Sequence, residues 1–353
     1  MDLSELLIEL VERGASDLHL TVGMPPVLRI NGALTATSRP RLTSRDTKEL
    51  LYSILTEDQR ERLEREWEYD FAYSLPGVAR FRVNAYYQRA SVGAAFRHIP
   101  AEIRSFEELG LPSVVGGLCE KPRGFVLVTG PTGSGKSTTL AAMVDHINEH
   151  CEVHIITVED PIEYLHHHKK AMVNQREVGS DTKSFSMALK HVLRQDPDVI
   201  LIGEMRDLET ISAALTAAET GHLVLATLHT QDAVQTVDRI IDVFPPHQQS
   251  QVRVQLAGTL QGIVSQQLLP TADGRGRVLA CEVLVPTAGI RNLIREGKTH
   301  QLTTAMQSGQ QYGMVTMDQS LAELCRRGLI SQDTALQRAI DPNTLKTLLG
   351  RSR

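Results

Sequence analysis

Apolar residues in the first hundred positions follow the patterns of a helix and of half-buried strands. A helical stripe, which Gly14 can end, is formed by Leu3, Leu6, Leu7, Leu10 and Val11. Short apolar runs around Pro25 and Pro26, followed by Asn31-Gly32, predict two strands and a hairpin turn. Residues 80–88 alternate between apolar and polar side chains, as in a strand with one buried face. Together these patterns predict an α+β domain over residues 1–98.

The pattern changes farther along the chain. Residues 99–122, which contain Pro112 and two adjacent glycines, predict a linker. Beyond it, amphipathic helical segments alternate with apolar runs that predict strands at 125–129, 153–158, 199–202, 222–228 and 278–285. Strands that are apolar on both faces are typical of a mostly parallel sheet covered by helices. We therefore expect an α/β core over residues 123–286 and a helical region over 287–353.

Composition and charge narrow the class of protein. The 353 residues suffice for two domains, and a hydrophobic share of 41% excludes disorder of the whole chain. With 37 Lys and Arg against 42 Asp and Glu, the net charge of −5 gives no global sign of nucleic-acid binding. No apolar run reaches the roughly 18 residues that span a bilayer, and the N-terminus does not read as a signal peptide, so we expect a cytoplasmic protein. No CxxC pair, and hence no zinc clamp, is formed by Cys119, Cys151, Cys281 and Cys325.

A glycine-rich segment carries the most specific chemical signal. Residues 130–137 match the pattern GxxxxGK[ST] between a predicted strand and a predicted helix. In this pattern backbone N–H groups wrap the phosphates, Lys136 reaches the β- and γ-phosphates, and the Ser137 hydroxyl binds Mg²⁺. The sequence therefore predicts a nucleoside triphosphate site formed by Gly130, Pro131, Thr132, Gly133, Ser134, Gly135, Lys136, Ser137 and Thr138.

Acidic residues follow two of the predicted strands, at the edge where open parallel sheets bind ligands. Glu159, Asp160 and Glu163 come after the run 153–158. A hydrolase needs one carboxylate to activate water and another to hold Mg²⁺. Glu163 is the candidate base, and Glu159 and Asp160 are candidates for the metal. The alternative is that these acids stabilise a helix N-terminus.

The run from Asp198 to Glu204 resembles a Walker B strand, although Gly203 stands where the acid usually lies. Glu204 would then bind Mg²⁺ directly or through a water molecule. The alternative is a structural ion pair between Glu204 and Arg206.

Histidines and arginines give weaker signals. His222 and His229 bracket a predicted strand, and each is a nucleotide sensor or an ordinary polar strand residue. Arginines without lysines cluster at the predicted domain junction, at Arg80, Arg82, Arg89, Arg97 and Arg104. Arginine suits multidentate phosphate contacts, but a solvated strand face explains the cluster equally well. The run of histidines and lysines at 166–170 predicts a solvated loop.

In this order the motifs resemble those of the bacterial secretion ATPases, and within them those of the ATPases that retract type IV pili. Residues 15–30 look like the family's PAS-like N-terminal domain. Residues 156–163 are similar to its Asp box, 200–207 to its atypical Walker B strand, and 220–230 to its His box. The resemblance implies a RecA-like core, a hexameric ring, and ATP and Mg²⁺ as ligands. It also implies ATP hydrolysis that drives pilus retraction and twitching motility.

The resemblance also assigns roles to residues. It implies that Glu163 is the catalytic glutamate and Glu204 the Walker B acid, with Lys136 in the phosphate loop. The implied sensors and phosphate-contacting arginines are His222, His229, Arg82, Arg97 and Arg104. A segment similar to the retraction signature AIRNLIRE, with Gly289 in place of its first alanine, comprises Ile290, Arg291, Asn292, Leu293, Ile294, Arg295 and Glu296. Its spacing predicts an amphipathic helix whose Arg291, Arg295 and Glu296 face outward.

Implied partners are further copies of the chain, a PilC-like platform protein at the cytoplasmic face of the inner membrane, and a PilU-like paralogue. Alternatives are a PilU-like accessory ATPase, and an extension or type II secretion ATPase. The latter relatives usually carry a longer N-terminal region and a four-cysteine zinc site, and this sequence has neither. A P-loop nucleic-acid motor would need a basic channel, which the acidic composition disfavours. The remaining alternative is a nucleotide-switched binding module without turnover.

Overall fold

The computed structural model describes residues 1–30, 32–99 and 102–350. It divides into two compact units. The first contains Met1–Glu102 together with Pro161–Leu165, and the second contains Ile103–Asp160 and the chain from His166 onward. Asn31 of the predicted hairpin turn, Pro100 and Ala101 of the predicted linker and residues 351–353 of the predicted helical region lie outside the described residues.

The first unit is built on an antiparallel sheet whose strand order is β3-β2-β1-β6-β5-β4. Within residues 1–30 and 32–99 its elements are α1 (Leu3–Glu12), β1 (Asp17–Leu20), β2 (Val27–Ile30), β3 (Ala33–Ala36), α2 (Ser44–Tyr52), α3 (Glu57–Glu66), β4 (Glu68–Leu75), β5 (Ala79–Gln88) and β6 (Ser91–Ile99). The predicted leucine stripe is buried on α1, and the N–H of Ala15 closes the end of this helix on the carbonyl of Leu10. The predicted first helix is therefore confirmed.

Strand β5 separates the core of the first unit from a polar face. Phe81, Val83 and Ala85 are buried among leucines of the three helices. The intervening Arg80 and Arg82 lie on the opposite face of the sheet. The predicted alternation is confirmed, and it places the arginines outside the core.

The second unit contains a mostly parallel sheet with strand order β13-β12-β7-β11-β10-β8-β9. Among the described strands of this sheet, β13 is antiparallel to its neighbour β12, and the other pairs are parallel. In the described chain from residue 103, its helices and strands are α4 (Phe106–Leu109), α5 (Val114–Cys119), β7 (Gly124–Thr129), α6 (Lys136–His150), β8 (His154–Glu159), β9 (Met172–Glu177), α7 (Phe185–Val192), β10 (Val199–Ile202), α8 (Leu208–Glu219), β11 (Leu223–Leu228), α9 (Ala233–Asp242), α10 (Pro246–Thr259), β12 (Leu260–Pro270), β13 (Arg277–Leu284), α11 (Ala288–Arg295), α12 (Leu302–Gln307), α13 (Met317–Arg326), α14 (Gln332–Arg338) and α15 (Pro342–Gly350). Short 3₁₀ turns lie at Thr299–Gln301 and Gln310–Tyr312.

Two apolar cores cover the faces of this sheet, which explains its continuously apolar strands. On β7, Phe125 and Leu127 join the core that contains residues of α7 to α12. Val126 and Val128 join the opposite core, with residues of α5 and α6. This arrangement confirms the predicted α/β fold with a parallel sheet between helical layers.

A buried carboxylate joins two helices of the second unit. Glu282 on β13 is only 4% exposed. Its Oε1 accepts the N–H of Ala233 at the start of α9 (2.8 Å), and its Oε2 accepts the N–H of Met317 at the start of α13 (3.2 Å). Burial raises the pKa of Glu282 to about 7, although both backbone hydrogen bonds act in the opposite direction. The strand register sets Glu282 opposite Ser265 of β12.

Among the described residues, every helix is too short or too polar to cross a bilayer. The four cysteines are free thiols, of which Cys119 and Cys281 are buried in the core.

Candidate nucleotide-binding site

The glycine-rich segment forms a loop between the end of β7 and the start of α6. Gly130, Gly133 and Gly135 have φ angles of +139°, +78° and +91°. A Cβ atom at Gly130 would overlap the carbonyl oxygen of Gln266 and lie 2.6 Å from Ser134 Oγ. The backbone conformation and the close approach of β12 therefore both require glycine at the beginning of the loop.

The loop presents the donors that a polyphosphate needs. Lys136 Nζ donates to the carbonyl oxygens of Gly130 (2.9 Å) and Pro131 (3.1 Å), so the amine lies over the loop. Ser137 is exposed in the first turn of the 15-residue helix α6, whose N-terminus favours negative charge. Ser134 Oγ is buried and has no hydrogen-bond partner among the described residues. These features fit the phosphates of a nucleotide.

Strand β12 supports this loop from a distant part of the sequence. Thr129 Oγ1 donates to Ser265 Oγ (2.8 Å), and Gln266 Nε2 donates to the carbonyl oxygen of Ser134 (2.8 Å). Both hydrogen bonds are buried. Neither Ser265 nor Gln266 was identified from the sequence, because β12 itself was not predicted. The available signal was the run of three polar residues, Ser265, Gln266 and Gln267, between the apolar pairs Ile263-Val264 and Leu268-Leu269.

Glu159, the last residue of β8, is held by side chains of β8 and the adjacent β9. Its Oε1 accepts hydrogen bonds from Thr157 Oγ1 (2.6 Å) and Gln175 Nε2 (3.1 Å). Asp160 follows it and is exposed. On the adjacent strand, a Cβ atom at Gly203 would lie 3.2 Å from both Glu159 Cα and the carbonyl oxygen of Val158. A side chain at the usual acidic position of a Walker B strand would therefore pack tightly against the backbone of β8.

Glu204, the next residue, is an ionised and paired carboxylate. Arg206 binds it in bidentate fashion, with Nε–Oε1 and Nη2–Oε2 distances of 2.7 Å, and His229 Nε2 lies 2.9 Å from Oε1. Burial would raise the pKa of Glu204, but the hydrogen bonds and charge of Arg206, with a contribution from His229, outweigh it and lower this pKa. The ion pair with Arg206 that was considered from the sequence is thus present, and His229 also contacts Glu204.

The two candidate sensor histidines lie at opposite ends of β11. His229 follows the strand, at the edge where the phosphate loop follows β7. His222 precedes it; its carbonyl oxygen accepts the N–H of Gly124, and its Nδ1 lies 3.0 Å from the carbonyl oxygen of Ala217. Six residues of strand span about 20 Å. Within one chain, the structure therefore does not bring His222 to the edge that carries the phosphate loop.

Glu163 belongs to the segment that groups with the first unit. The segment is held there by Arg80, whose Nε donates to the carbonyl oxygen of Ile162 (3.1 Å). Arg82 Nη1 lies 4.0 Å from Glu163 Oε1, with both side chains well exposed. Glu163 therefore has a guanidinium group as its neighbour.

The candidate phosphate-contacting arginines are distributed over both units. Arg82 and Arg97 lie directly opposite each other on β5 and β6. Arg97 is 70% exposed and donates from Nε to Asp17 Oδ1 (3.0 Å). Arg89 lies in the tight turn between these strands with a φ of +48°, and Arg104 is an exposed residue of the second unit. Two cations facing each other across a strand pair favour an anion nearby, since like charges directly opposite are destabilising.

The segment similar to a retraction signature forms α11. Ile290 and Ile294 are buried in the core as predicted. Arg291 does not face outward as expected: its Nη1 donates to the carbonyl oxygens of Ala257 (2.5 Å) and Gly258 (3.1 Å) at the end of α10. That expectation was wrong because helical spacing cannot reveal the last carbonyl groups of another helix, which attract a cation.

The remaining polar side chains of this segment are exposed and bond to one another. Asn292 Nδ2 donates to Glu296 Oε1 (2.7 Å), and Arg295 Nη1 lies 3.4 Å from Asn292 Oδ1. At Gly289 a Cβ atom would have Thr287 Oγ1, at 3.9 Å, as its nearest neighbour. Alanine, the residue of the signature, would therefore fit this position without strain.

The histidine-rich run after Leu165 is a loop whose residues 167–170 are exposed, as predicted. His166 differs, because burial lowers its pKa to about 4. Lys169 Nζ binds Asp145 (2.8 Å) and Glu149 (2.7 Å) on α6. The loop is thus fastened to the helix that follows the phosphate loop.

In the described part of the chain, no three His, Cys, Asp or Glu side chains are grouped so that they could hold a metal ion themselves. Mg²⁺ usually keeps several waters and binds one or two protein groups together with substrate phosphates. The Ser137 hydroxyl, in the helix after β7, and the Glu204 carboxylate, after β10, belong to strands on either side of β11 and are of the kinds that suit such partial coordination.

A phosphate loop between strand and helix, in a parallel sheet covered on both faces, defines a P-loop nucleotide-binding protein with a RecA-like core. The family model described as "Type II/IV secretion system protein" matches residues 2–336, and the chain belongs to this family. It is 51% identical over 342 residues to the type IV pilus retraction ATPase PilT of Pseudomonas aeruginosa, covering 97% of this chain and 99% of that protein. The type IV pilus ATPase PilU of the same organism is 45% identical, with coverage of 99% and 91%. A crystal structure of the pilus retraction motor PilT with bound ADP is similar with a TM-score of 0.93 and 53% identity, covering 98% of this chain and 99% of that chain.

Replacing Gly203 by aspartate would restore the usual Walker B acid, and we expect the variant to be destabilised. The new Cβ meets the backbone of Glu159 and Val158 at 3.2 Å, and overpacking of this kind costs about 1–3 kcal/mol. Urea denaturation of Gly203→Asp measures this loss in the free energy of unfolding. The matched control, Gly289→Ala, has room for its methyl group and should be as stable as the wild type or slightly more so. Equal stability of Gly203→Asp and the wild type would contradict the crowding argument.

The ion pair of Glu204 predicts a specific pH dependence of stability. The pKa of Glu204 is lowered on folding, so its stabilisation is present above the unfolded pKa of about 4.3 and is lost as the pH falls through the folded pKa. The difference in unfolding free energy between the wild type and Arg206→Met should therefore be greatest near neutral pH and shrink below about pH 4. Arg45→Met, which removes an exposed pair with Glu49, is the control and should give a smaller difference. A difference between wild type and Arg206→Met that stays constant into the acid range would exclude this linkage.

Proposed function

We propose that this chain is an ATP-hydrolysing motor that drives retraction of type IV pili and thereby twitching motility. Similarity along the whole chain carries the proposal. A protein named a pilus retraction ATPase is 51% identical over 97% of this chain, and a structure described as a retraction motor with bound ADP matches 98% of it. A nucleotide-binding core by itself would not distinguish one secretion motor from another.

In this proposal the phosphate loop, residues 130–138, binds ATP. Backbone N–H groups and Lys136 hold the phosphates, and the exposed Ser137 hydroxyl contacts Mg²⁺. Glu204 orients the ion directly or through water. Glu159 and Asp160, at the end of the adjacent strand β8, are further candidates for binding the ion. The ion itself neutralises phosphate charge when bound. Because Arg206 holds Glu204 ionised, this carboxylate is ready to accept hydrogen bonds from metal-bound water.

Glu163 is the proposed base that takes a proton from the attacking water. Arg82 and Arg97 are proposed to contact phosphate oxygens; their cross-strand position and the exposure of Arg97 support this role. Arg104 is proposed as a third contact on the resemblance alone. His229, through its contact with Glu204, is the better supported of the two proposed sensors, whereas the sensor role of His222 rests on the resemblance.

Assembly is part of the same proposal. The motor acts as a homo-hexamer on a PilC-like platform protein at the cytoplasmic face of the inner membrane, alongside a PilU-like paralogue. The segment 290–296, which exposes Asn292, Arg295 and Glu296, takes part in retraction. A PilU-like accessory role is the second candidate, favoured by 45% identity over 99% of this chain to a protein named PilU. Less favoured is an extension or type II secretion motor.

Replacing Glu163 by glutamine should abolish steady-state phosphate release while ATP binding persists, because the amide cannot accept the proton of water but has the same shape. Turnover is measured by phosphate release and binding by titration with a fluorescent ATP analogue. The control is Glu107→Gln on α4, an exposed carboxylate that should leave both quantities unchanged. Turnover within twofold of the wild type in Glu163→Gln would remove Glu163 from the catalytic role.

The cellular function is tested by counting surface pili on the source bacterium after deletion of the gene. We expect excess pili and lost twitching, restored by the wild-type gene and not by Lys136→Ala, which loses the phosphate-binding amine. Cells without pili would instead indicate an extension motor. Unchanged piliation would contradict the retraction proposal in this form and favour the accessory role.

A further inference from the structure

The side chain of Gln266 is almost completely buried behind the phosphate loop. It is 1% exposed on β12, a strand that pairs in parallel with β7. Its Nε2 donates a 2.8 Å hydrogen bond to the carbonyl oxygen of Ser134, inside the loop. The opposite assignment of the amide would set Oε1 against this carbonyl oxygen, so the donor can only be the nitrogen. A buried amide is therefore dedicated to one backbone group of the loop.

This hydrogen bond determines the orientation of a complete peptide group. The peptide between Ser134 and Gly135 is planar and trans, so its C=O and N–H point in opposite directions. Because Gln266 holds the carbonyl group toward β12, the N–H of Gly135 points away from β12, toward the concave side of the loop. In this motif, backbone N–H groups on that side bind phosphate oxygens.

The same peptide is able to turn over unless it is held. Gly135 lacks a Cβ and has a φ of +91°, so the N–Cα bond on its side of the peptide can rotate without a clash from a side chain of its own. After such a flip the Ser134 carbonyl oxygen, rather than an N–H group, would face the phosphates. The nucleotide would lose a charge-assisted hydrogen bond and gain a repulsive contact.

The packing around Gln266 also leaves little freedom. A Cβ atom at Gly135 would lie 3.2 Å from Gln266 Nε2, so the amide occupies the space directly beneath the peptide. The neighbouring Ser265 is held by Thr129, which fixes β12 against the end of β7. Gln266 Oε1 has no hydrogen-bond partner among the described residues. Within this part of the chain, the hydrogen bond from Nε2 to Ser134 is therefore the one that fixes the amide.

We propose that Gln266 is a positioning residue for nucleotide binding, which holds the Ser134–Gly135 peptide so that its N–H faces the phosphate groups of ATP or ADP. The inference rests on the proposed function only as far as nucleotide binding, and it does not depend on retraction. Gln266 itself does not contact the nucleotide. Its effect is on affinity, because the same N–H is used by substrate and product.

The test compares Gln266→Met with Gln267→Met in the full chain. Methionine keeps the volume of glutamine and removes the donor, while Gln267 is the next residue of β12, with its side chain on the other face of the sheet. Dissociation constants are measured with a fluorescent ADP analogue and Mg²⁺, and melting temperatures without nucleotide report on folding. Gln266→Met should raise the dissociation constant about tenfold or more. Gln267→Met should bind as the wild type does.

Steady-state kinetics distinguish a positioning role of Gln266 from a merely structural one, because the two roles predict different effects on KM and kcat. Gln266→Met should raise the KM for ATP and leave kcat nearly unchanged, as expected for loss of binding common to the ground and transition states. If methionine lowers the melting temperature, Gln266→Leu replaces it, since leucine also has no donor and no charge, and it should weaken ADP binding as much. Wild-type affinity in a folded variant at position 266 would overturn the inference. A wild-type chain that binds ADP but shows no turnover would instead count against the motor.

Discussion

The geometry of the nucleotide site depends on two buried hydrogen bonds that β12 makes, one to the neighbouring parallel strand and one to the loop that follows it. Ser265 and Gln266 of β12 hold Thr129 and Ser134, at the end of β7 and inside the loop. A glycine-rich loop has many accessible conformations, and phosphate binding needs only one of them. Because the constraint comes from a strand more than a hundred residues later in the chain, the loop acquires its shape only when the whole sheet has formed.

A second constraint is electrostatic and follows from the topology. Parallel strands bring their carboxyl ends to one edge, and here these ends carry Glu159, Asp160 and Glu204. Acids gathered in this way repel one another unless cations neutralise them. Arg206 does so for Glu204. At Gly203, where a Walker B strand usually has its acid, a Cβ atom would lie 3.2 Å from the backbone of the neighbouring strand, and the acidic group stands one residue later, at Glu204.

The fold could be predicted from the sequence where one physical pattern dominated. The leucines of α1, the alternation on β5 and the apolar strand before the phosphate loop are local signals, and each predicted element was found. Strand β12 was missed because Gln261, Ser265 and Gln266 interrupt its apolar pattern, and β9 because it is a polar edge strand. Long-range partners lie beyond such patterns: the contacts of Gln266 with Ser134 and of Arg291 with α10 depend on strand register and helix packing.

The buried Glu282 affects how the second unit unfolds. Its carboxylate, opposite Ser265 in the sheet, accepts the first N–H groups of both α9 and α13. If the C-terminal helices detached alone, a buried carboxylate would lose half of its partners and an apolar surface on β13 would meet water. Partial unfolding of this part of the chain is therefore penalised, and the helices beyond residue 316 should melt together with the nucleotide-binding sheet in one cooperative transition.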